Sequence, residues 1–163
     1  GIPVAGDADD PNAPLYASFA AVITRAEPDR TGQIPRLTID RQGQVGDYAG
    51  PMRSETRFAR YVTESGHNIP AVFWDYLNAR GLVYEQGQLR NDRLFDWLFV
   101  MGYPISEPFW TRVRIGGVER DVLIQLFERR TLTYVPDNPA GWQVEMGNVG
   151  RHYYRWRYGE ELP

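Results

Sequence analysis

The sequence contains no cysteine and no lysine, and only two histidines. Without cysteine there are no disulfides, thiolate nucleophiles, zinc–thiolate sites or iron–sulfur clusters. Without lysine there is no Schiff-base lysine, no P-loop lysine and no lysine general base. All 18 residues counted as lysine or arginine are therefore arginine. These absences exclude many catalytic strategies and leave carboxylate chemistry open.

Long hydrophobic runs and a strong charge of either sign are also missing. No apolar run approaches the roughly 20 residues that a membrane-spanning helix needs, and no secretory signal stands at the start. The formal net charge is −3, so no overall basic field attracts nucleic acid. The 163 residues are 42% hydrophobic, enough for one core. We expect one soluble domain that neither enters a membrane nor binds nucleic acid.

The first 14 residues are acidic and interrupted by prolines. We expect an interdomain linker or a trimmed end there, next to an upstream domain of the same polypeptide. Residues 15–163 are predicted to form one α+β domain, mainly antiparallel β-sheet with three short helices. Residues 15–62 are expected to be rich in β-structure, with strands at 15–24, 36–40 and 57–62.

Residues 68–102 are predicted to be helical. Asn68 can cap a helix that has Pro70 in its first turn, runs to Arg80 and is ended by Gly81. A second short helix is expected from Asp92, with Gly102 as its stop. Four apolar residues of this second helix are expected to point inward. They are Leu94, Phe95, Leu98 and Phe99.

Residues 109–158 are predicted to form β-hairpins and a closing helix. Gly116 and Gly117 suit a two-residue turn between a strand at 111–115 and one that begins at Val118. The second strand is apolar on both faces and is expected to be central in its sheet. Further strands are expected at 131–135 and 142–146. Asn148 can cap a final helix that ends at Tyr158.

Several segments of the chain resemble a domain found at the C-terminal end of uncharacterised secreted proteins of GC-rich, often thermophilic bacteria. The segments that carry this resemblance are Gly66–Pro70, Met101–Glu107, Gln125–Arg130, Tyr134–Pro139, Val144 and Gly147–Gly150. The step from Gly102 to Pro104 also resembles, more distantly, the LGFP repeat of cell-wall-associated bacterial proteins. LGFP repeats occur in tandem, whereas this chain has one copy.

The resemblance implies a location and neighbouring domains rather than a reaction. Similar domains lie beside hydrolases or other surface domains, so we expect an extracellular or cell-surface, envelope-associated and non-catalytic role. The expected partner is a cell-wall polysaccharide, peptidoglycan or a protein surface. Neither family supplies catalytic residues, and no cofactor is expected.

Sugar-binding surfaces combine exposed aromatic faces with flanking arginines and carboxylates. Trp110, Tyr134 and Trp142, together with Arg129, have the residue types for such a surface. Trp74 and Trp97 lie on predicted apolar helix faces and are expected in the core. The first hypothesis is therefore a binding module with Trp110 or Trp142 exposed on one shallow face.

Two alternatives stay open. A small glycan hydrolase needs two facing carboxylates, and the candidates are Glu107, Glu128 and Glu145. A structural subunit could instead assemble through strand edges or through its acidic linker.

Three other patterns favour structural interpretations. His67 and His152, with Ser65 or Ser106, do not form a recognisable triad motif. The acidic group at residues 7–10 lacks the later ligands of a calcium loop. The alternation of arginines and aromatics at residues 151–158 suits a helix with one buried face better than a nucleic-acid surface.

Overall fold

A six-stranded mixed sheet organises the protein, and two smaller hairpins flank it. The computed structural model describes residues 1–23 and 25–147. The helices of this described part are α1 (Ala71–Leu77) and α2 (Trp97–Met101). Its strands are β1 (Leu37–Ile39), β2 (Val45–Asp47), β3 (Phe58–Val62), β4 (His67–Pro70), β5 (Arg80–Glu85), β6 (Gln88–Arg93), β7 (Phe109–Ile115), β8 (Val118–Leu126), β9 (Thr131–Tyr134) and β10 (Val144–Gly147).

The large sheet has the strand order β10-β9-β8-β7-β1-β2. Gly116 and Gly117 join β7 to β8 with φ angles of 58° and 81°, as a primed two-residue turn requires. This hairpin and the central position of β8 confirm the sequence prediction. All neighbouring strands are antiparallel except β1 and β7, which pair in parallel at Thr38 and Trp110. That short parallel contact shapes the site described below.

Both faces of the large sheet are buried. One face packs under the N-terminal residues and the short 3-10 helix Tyr16–Phe19, and the other under α1 and the loop that holds Tyr48. The side chains of successive residues in β7 and β8 pack into opposite cores, because side chains along a strand alternate between the two faces of the sheet. The first core includes Phe19, Ile39, Phe109, Val113, Val122 and Ile124. The second includes Tyr48, Phe73, Leu77, Trp110, Leu123 and Leu132.

The predicted helix over residues 68–80 is partly wrong. Residues 67–70 form β4, which pairs with β3, and the helix occupies only Ala71–Leu77. Asn68 is completely buried and caps no helix. Its side-chain oxygen accepts from Arg30 N, and its amide donates to Pro28 O and Glu107. The polar side chain that suggested a cap is used to join distant segments instead.

The hairpin β5–β6 was not predicted, and it replaces the expected start of a helix at Asp92. Gln86, at φ 51°, and Gly87, at φ 77°, form its two-residue turn. The second helix is shorter than predicted and begins at Trp97 with Asp96 as its cap. Of the four apolar residues predicted to point inward, Phe95 is half-buried, whereas three are exposed. The exposed ones are Leu94, Leu98 and Phe99.

The α+β class is confirmed in its coarse form: the described part is mainly β-sheet and contains two helices rather than three. The third predicted helix, from Asn148 to Tyr158, lies outside the described residues. Neither described helix has the length and apolar character needed to cross a membrane. The helices are short because many of the buried apolar residues lie in strands.

The N-terminal residues pack against the sheet. No strand forms over residues 15–23, the described part of the strand predicted at 15–24, and the 3-10 helix Tyr16–Phe19 takes its place. Asp7 accepts hydrogen bonds from Gly116 N and Gly117 N, at the turn of the β7–β8 hairpin. Asp10 is 3% exposed and accepts from Arg114 N. Residues expected to be a linker or a trimmed end thus cover one core.

Candidate functional site

An open groove of about 540 Å³ lies where β1 turns away from β7. We call it the β1–β7 groove. The two strands pair only at Thr38 and Trp110, and beyond that point their edges separate. The side chains that give the groove its chemistry come from four parts of the chain. They are Asn12, Asp40, Gln42, Tyr48, Arg112 and Asp121.

A stacked aromatic pair forms the base of the groove. The rings of Tyr48 and Trp110 lie 4.5 Å apart, with an interplanar angle of 11°. Arg36 packs over Tyr48 and Arg53 over Trp110, at 5.2 and 5.8 Å from the ring centroids. Trp110 Nε1 donates to Pro35 O at 3.1 Å. Because cation–π contacts and a hydrogen bond hold both rings, the base is rigid.

Asp121 provides the charged wall of the groove. One of its carboxylate oxygens accepts from Tyr48 Oη at 2.8 Å, and the other from Arg112 Nη1 at 2.9 Å. Burial raises the pKa of Tyr48, and the hydrogen bond to Asp121 raises that pKa further. Tyr48 therefore remains a neutral donor to Asp121. The Arg112 side chain is 61% exposed and is available to a ligand.

The backbone of Arg112 also faces the groove. Two residues further along β7, both backbone groups of Arg114 point away from β8. Arg114 N donates to Asp10 Oδ2, and Arg114 O accepts from Asp7 N. Alternate residues of a strand turn their N–H and C=O groups to the same edge. The N–H and C=O of Arg112 thus point to the edge where β1 has separated. The groove offers one backbone donor and one backbone acceptor besides its side chains.

A fixed turn and the N-terminal segment form the rim. Asp40 Oδ1 accepts from Gln42 N and Gln44 N, which holds the turn between β1 and β2. Arg41 Nη1 then donates to Ala13 O at 3.0 Å and joins this turn to the N-terminal residues. Gln42 and Asn12 remain exposed and both line the opening. The rim is thus held before any ligand arrives.

This arrangement suits binding better than group transfer. The lining residues include no serine, cysteine or histidine that could serve as nucleophile or base. Its two carboxylates already accept hydrogen bonds, Asp40 from backbone amides and Asp121 from Tyr48 and Arg112. The groove presents polar groups around an aromatic base, which is a way to hold a small polar ligand.

The structure does not bring the four predicted sugar-binding residues to one surface. Trp110 is 1% exposed, so its ring belongs to the core although its edge lines the groove. Tyr134 is also buried, and its hydroxyl donates to Glu55 at 2.9 Å. Arg129 donates to the carbonyls that end α2. Of the three aromatic residues, Trp142 alone is open to solvent, with 71% of its surface exposed, and Arg129 is exposed as well.

Glu107, the first carboxylate proposed for glycan hydrolysis, is buried in a polar cluster. Oε2 accepts from Asn68 N at 2.8 Å, and Oε1 accepts from Asn68 Nδ2 at 2.6 Å. Arg30 Nη1 is 3.4 Å from Oε1, and His67 Nδ1 is 3.4 Å from Oε2. Gln125 Nε2 donates to Asn68 O and completes the connection to β8. We interpret Glu107 as a structural carboxyl group that joins β4 to the large sheet.

The other two glutamates lie elsewhere. Glu128 Oε1 accepts from Tyr103 N at 2.7 Å and holds the chain that follows α2. Glu145 is exposed on β10 and lines a shallow depression beside the N-terminal residues. Glu107 lines two small cavities of the described part of the chain and Glu145 lines a third, whereas Glu128 lines none of these three. The paired carboxylates of the hydrolase alternative are therefore not found among these residues.

The acidic N-terminal residues are used internally. Asp7 binds the amides of the hairpin turn, Asp10 binds Arg114 N, and Asp9 binds the Arg114 guanidinium at 2.7 Å. Among the described residues, no cluster of histidine, aspartate or glutamate is arranged to hold a metal ion. The resemblance to half a calcium site therefore reflects these internal contacts. The arginine-rich segment at residues 151–158 lies outside the described residues.

Most residues of the groove were not singled out by sequence reasoning. Tyr48 lies in a loop that carries no recognisable sequence motif, and Arg112 is one of several arginines in predicted strands. Asp121 gave the best available signal, because it directly precedes the apolar run Val122–Phe127. A carboxylate next to a buried strand segment loses contact with water, so it needs a hydrogen-bond donor from another part of the protein. The donor, Tyr48, is 73 residues away in sequence, so local patterns could not identify it.

Comparison with protein-family models, curated proteins and solved structures found no match to this chain.

Proposed function

We propose that this domain is a non-catalytic, extracellular binding module of the cell envelope that holds a segment of polysaccharide in the β1–β7 groove. The observation that carries this proposal is the groove itself, with the Tyr48–Trp110 stack at its base and Arg112 and Asp121 on its wall. Its volume of about 540 Å³ matches that of ordinary ligand sites. The envelope location rests on the sequence resemblance.

The chemistry of the lining residues supports a polyhydroxylated ligand. Sugar hydroxyls both donate and accept hydrogen bonds, so they need mixed partners. Asn12 and Gln42 offer amides, Asp121 offers acceptors, and Arg112 offers guanidinium donors beside its backbone groups. The arginine and carboxylate neutralise each other at 2.9 Å. A neutral polar ligand therefore fits the groove better than a strongly charged one.

The experiment is retention on insoluble peptidoglycan, cellulose, chitin and xylan, with purified protein and washed polymer. We expect Arg112→Ala to weaken retention about tenfold on the polymer that binds, because a hydrogen bond to a charged group is lost. Gln42→Ala is expected to weaken it less. Circular dichroism checks that each variant remains folded.

Two control variants distinguish the groove from other surfaces. Arg25→Ala removes another exposed arginine, outside the groove, and is expected to leave retention unchanged. Trp142→Ala tests the exposed tryptophan of the original hypothesis. If Trp142→Ala abolishes retention and Arg112→Ala does not, the ligand site lies at Trp142. If the wild-type protein is retained on none of the polymers, the polysaccharide proposal is wrong.

A further inference from the structure

The β5–β6 hairpin forms a sheet of its own. Within the described residues, its two strands pair only with each other, which leaves both outer edges open. Every residue of β6 is exposed. A two-stranded hairpin is marginally stable in water, and an open edge can accept a further strand. The β6 edge is therefore a candidate site for association with another chain.

The hairpin register determines which backbone groups β6 presents. Leu94 N donates to Ala79 O, so these two residues form a hydrogen-bonded pair between the two arms. Hydrogen-bonded and non-hydrogen-bonded pairs alternate along an antiparallel ladder. Every second residue of β6 consequently turns its N–H and C=O away from β5. These residues are Leu89, Asn91 and Arg93.

The charge pattern of β6 is complementary to itself in one register. When two copies pair antiparallel about a two-fold axis at Asn91, Arg90 of each copy lies opposite Asp92 of the other. Outward-facing backbone groups then meet outward-facing groups at Leu89, Asn91 and Arg93, once Arg93 N leaves the Asp92 carboxylate to which it donates at 2.7 Å. A shift of the axis to Arg90 places two arginines opposite each other, and a shift to Asp92 places two aspartates opposite each other. Like charges in such positions are unfavourable.

We propose that two copies of this chain associate through antiparallel pairing of their β6 strands, with the two-fold axis at Asn91. The pairing creates a four-stranded sheet from two marginal hairpins. Leu82, Tyr84 and Leu89 share one face of each hairpin and are 75%, 72% and 66% exposed. The axis runs perpendicular to the sheet, so the apolar faces of both copies lie on the same side. This association is independent of polysaccharide binding.

Arg80 occupies part of the same edge. Its guanidinium reaches across the hairpin and donates to Asn91 O at 2.9 Å. The Asn91 carbonyl is therefore occupied by Arg80, which must leave before the second copy can donate to it. The Arg80 side chain is 56% exposed, so it can leave at small cost when the second β6 arrives. We expect Arg80→Ala to strengthen association.

Sedimentation velocity over a concentration series at low ionic strength tests the proposal, without any polysaccharide. Arg90→Asp places aspartates opposite Asp92 of the second copy, and Asp92→Arg places arginines opposite Arg90. Each variant alone is expected to associate about tenfold more weakly than wild type. An equimolar mixture of the two variants restores opposite charges at both positions. The mixture is therefore expected to recover wild-type association.

Asn91→Pro provides a variant that does not rely on charge. The Asn91 N–H points away from β5, so proline removes a bond between copies and retains the bonds within the hairpin. Association is expected to be lost. The proposal is overturned if the wild-type protein is monomeric up to about 1 mM. It is also overturned if the single charge variants dimerise as wild type does, or if their mixture does not recover.

Discussion

Trp110 and Trp142 show how strongly position determines the role of one residue type. Trp110 is 1% exposed and its indole donates to a backbone carbonyl, whereas Trp142 is 71% exposed in a turn. Both were candidate ligand contacts in the sequence, because an aromatic side chain near arginines and carboxylates has the residue type that a sugar-binding surface needs. Trp110 became a core residue because the second face of the sheet is covered by Tyr48 and α1. Trp110 is therefore a structural residue of the second core, whereas Trp142 stays in contact with solvent.

Removal of the Glu107 carboxylate is expected to destabilise the protein. Glu107→Ala leaves Asn68 N and its amide without their acceptor in a buried site. We expect the free energy of unfolding to fall by about 3 kcal/mol, and Glu107→Gln to cost less because one acceptor remains. Urea unfolding followed by tryptophan fluorescence measures the change.

Glu145→Ala is the control for that measurement, because Glu145 is an exposed glutamate on a strand. We expect this change to stay within about 0.5 kcal/mol of wild type. A loss of less than 1 kcal/mol in Glu107→Ala would show that the cluster contributes little to stability.

At the element scale, the sequence predicted five of the six strands of the large sheet, all except β2, and predicted the helices poorly. The Gly-Gly turn and the apolar run of β8 are local signals, so the β7–β8 hairpin could be predicted. The helix over residues 68–80 was overestimated because Asn68 and Pro70 also suit a strand that leads into a short helix. The β5–β6 hairpin was missed because its turn, Gln86-Gly87, lacks the usual asparagine or aspartate.

The N-terminal segment is expected to detach from the β7–β8 turn in acid. Hydrogen bonds from Gly117 N and Gly116 N lower the pKa of Asp7 below 3.8. The bond from Arg114 N lowers the pKa of Asp10, although burial opposes this shift. A carboxyl group whose pKa is lowered in the folded protein stabilises the contact between the N-terminal segment and the β7–β8 turn at pH values above its ordinary pKa. That contribution disappears as the pH falls through the native pKa.

Amide hydrogen exchange at Gly116 and Gly117 measures this detachment. Protection of both amides is expected to fall below pH 3.8 after correction for the intrinsic exchange rate. Asp7→Asn is expected to reduce their protection at neutral pH. Asp9→Asn serves as the matched control, since Asp9 is 85% exposed and, within the described part of the chain, binds the Arg114 side chain and no backbone amide. Equal effects from both variants would contradict a specific role for Asp7.

At the scale of the whole molecule, burial predicts an order of local stability. The strands β7 and β8 lie between two cores, whereas β5 and β6 are mostly exposed. Regions with few buried contacts open at low free energy. We expect amides of β8 to exchange only through global unfolding and amides of β6 to exchange orders of magnitude faster. Native-state hydrogen exchange, measured on dilute protein, provides the comparison.

Much of the large sheet was accessible from sequence, but the groove was not. Each wall of the groove belongs to a different segment, and the contact that opens it is the short parallel pairing of β1 with β7. Periodicity identifies which residues form a strand, and it carries little information about which distant strand lies beside it. Arg112 and Tyr48 therefore acquire their place only in the folded chain.

The same long-range contacts have a kinetic consequence. Pro35 O and Trp110 Nε1 are 75 residues apart in sequence, and Asp7 and Gly116 are 109 apart. Contacts between such distant residues close large loops and tend to slow folding. The β7–β8 hairpin, which is local, can form before either contact. The groove is lined by residues from distant parts of the chain, so we expect a newly made chain to complete it late in folding.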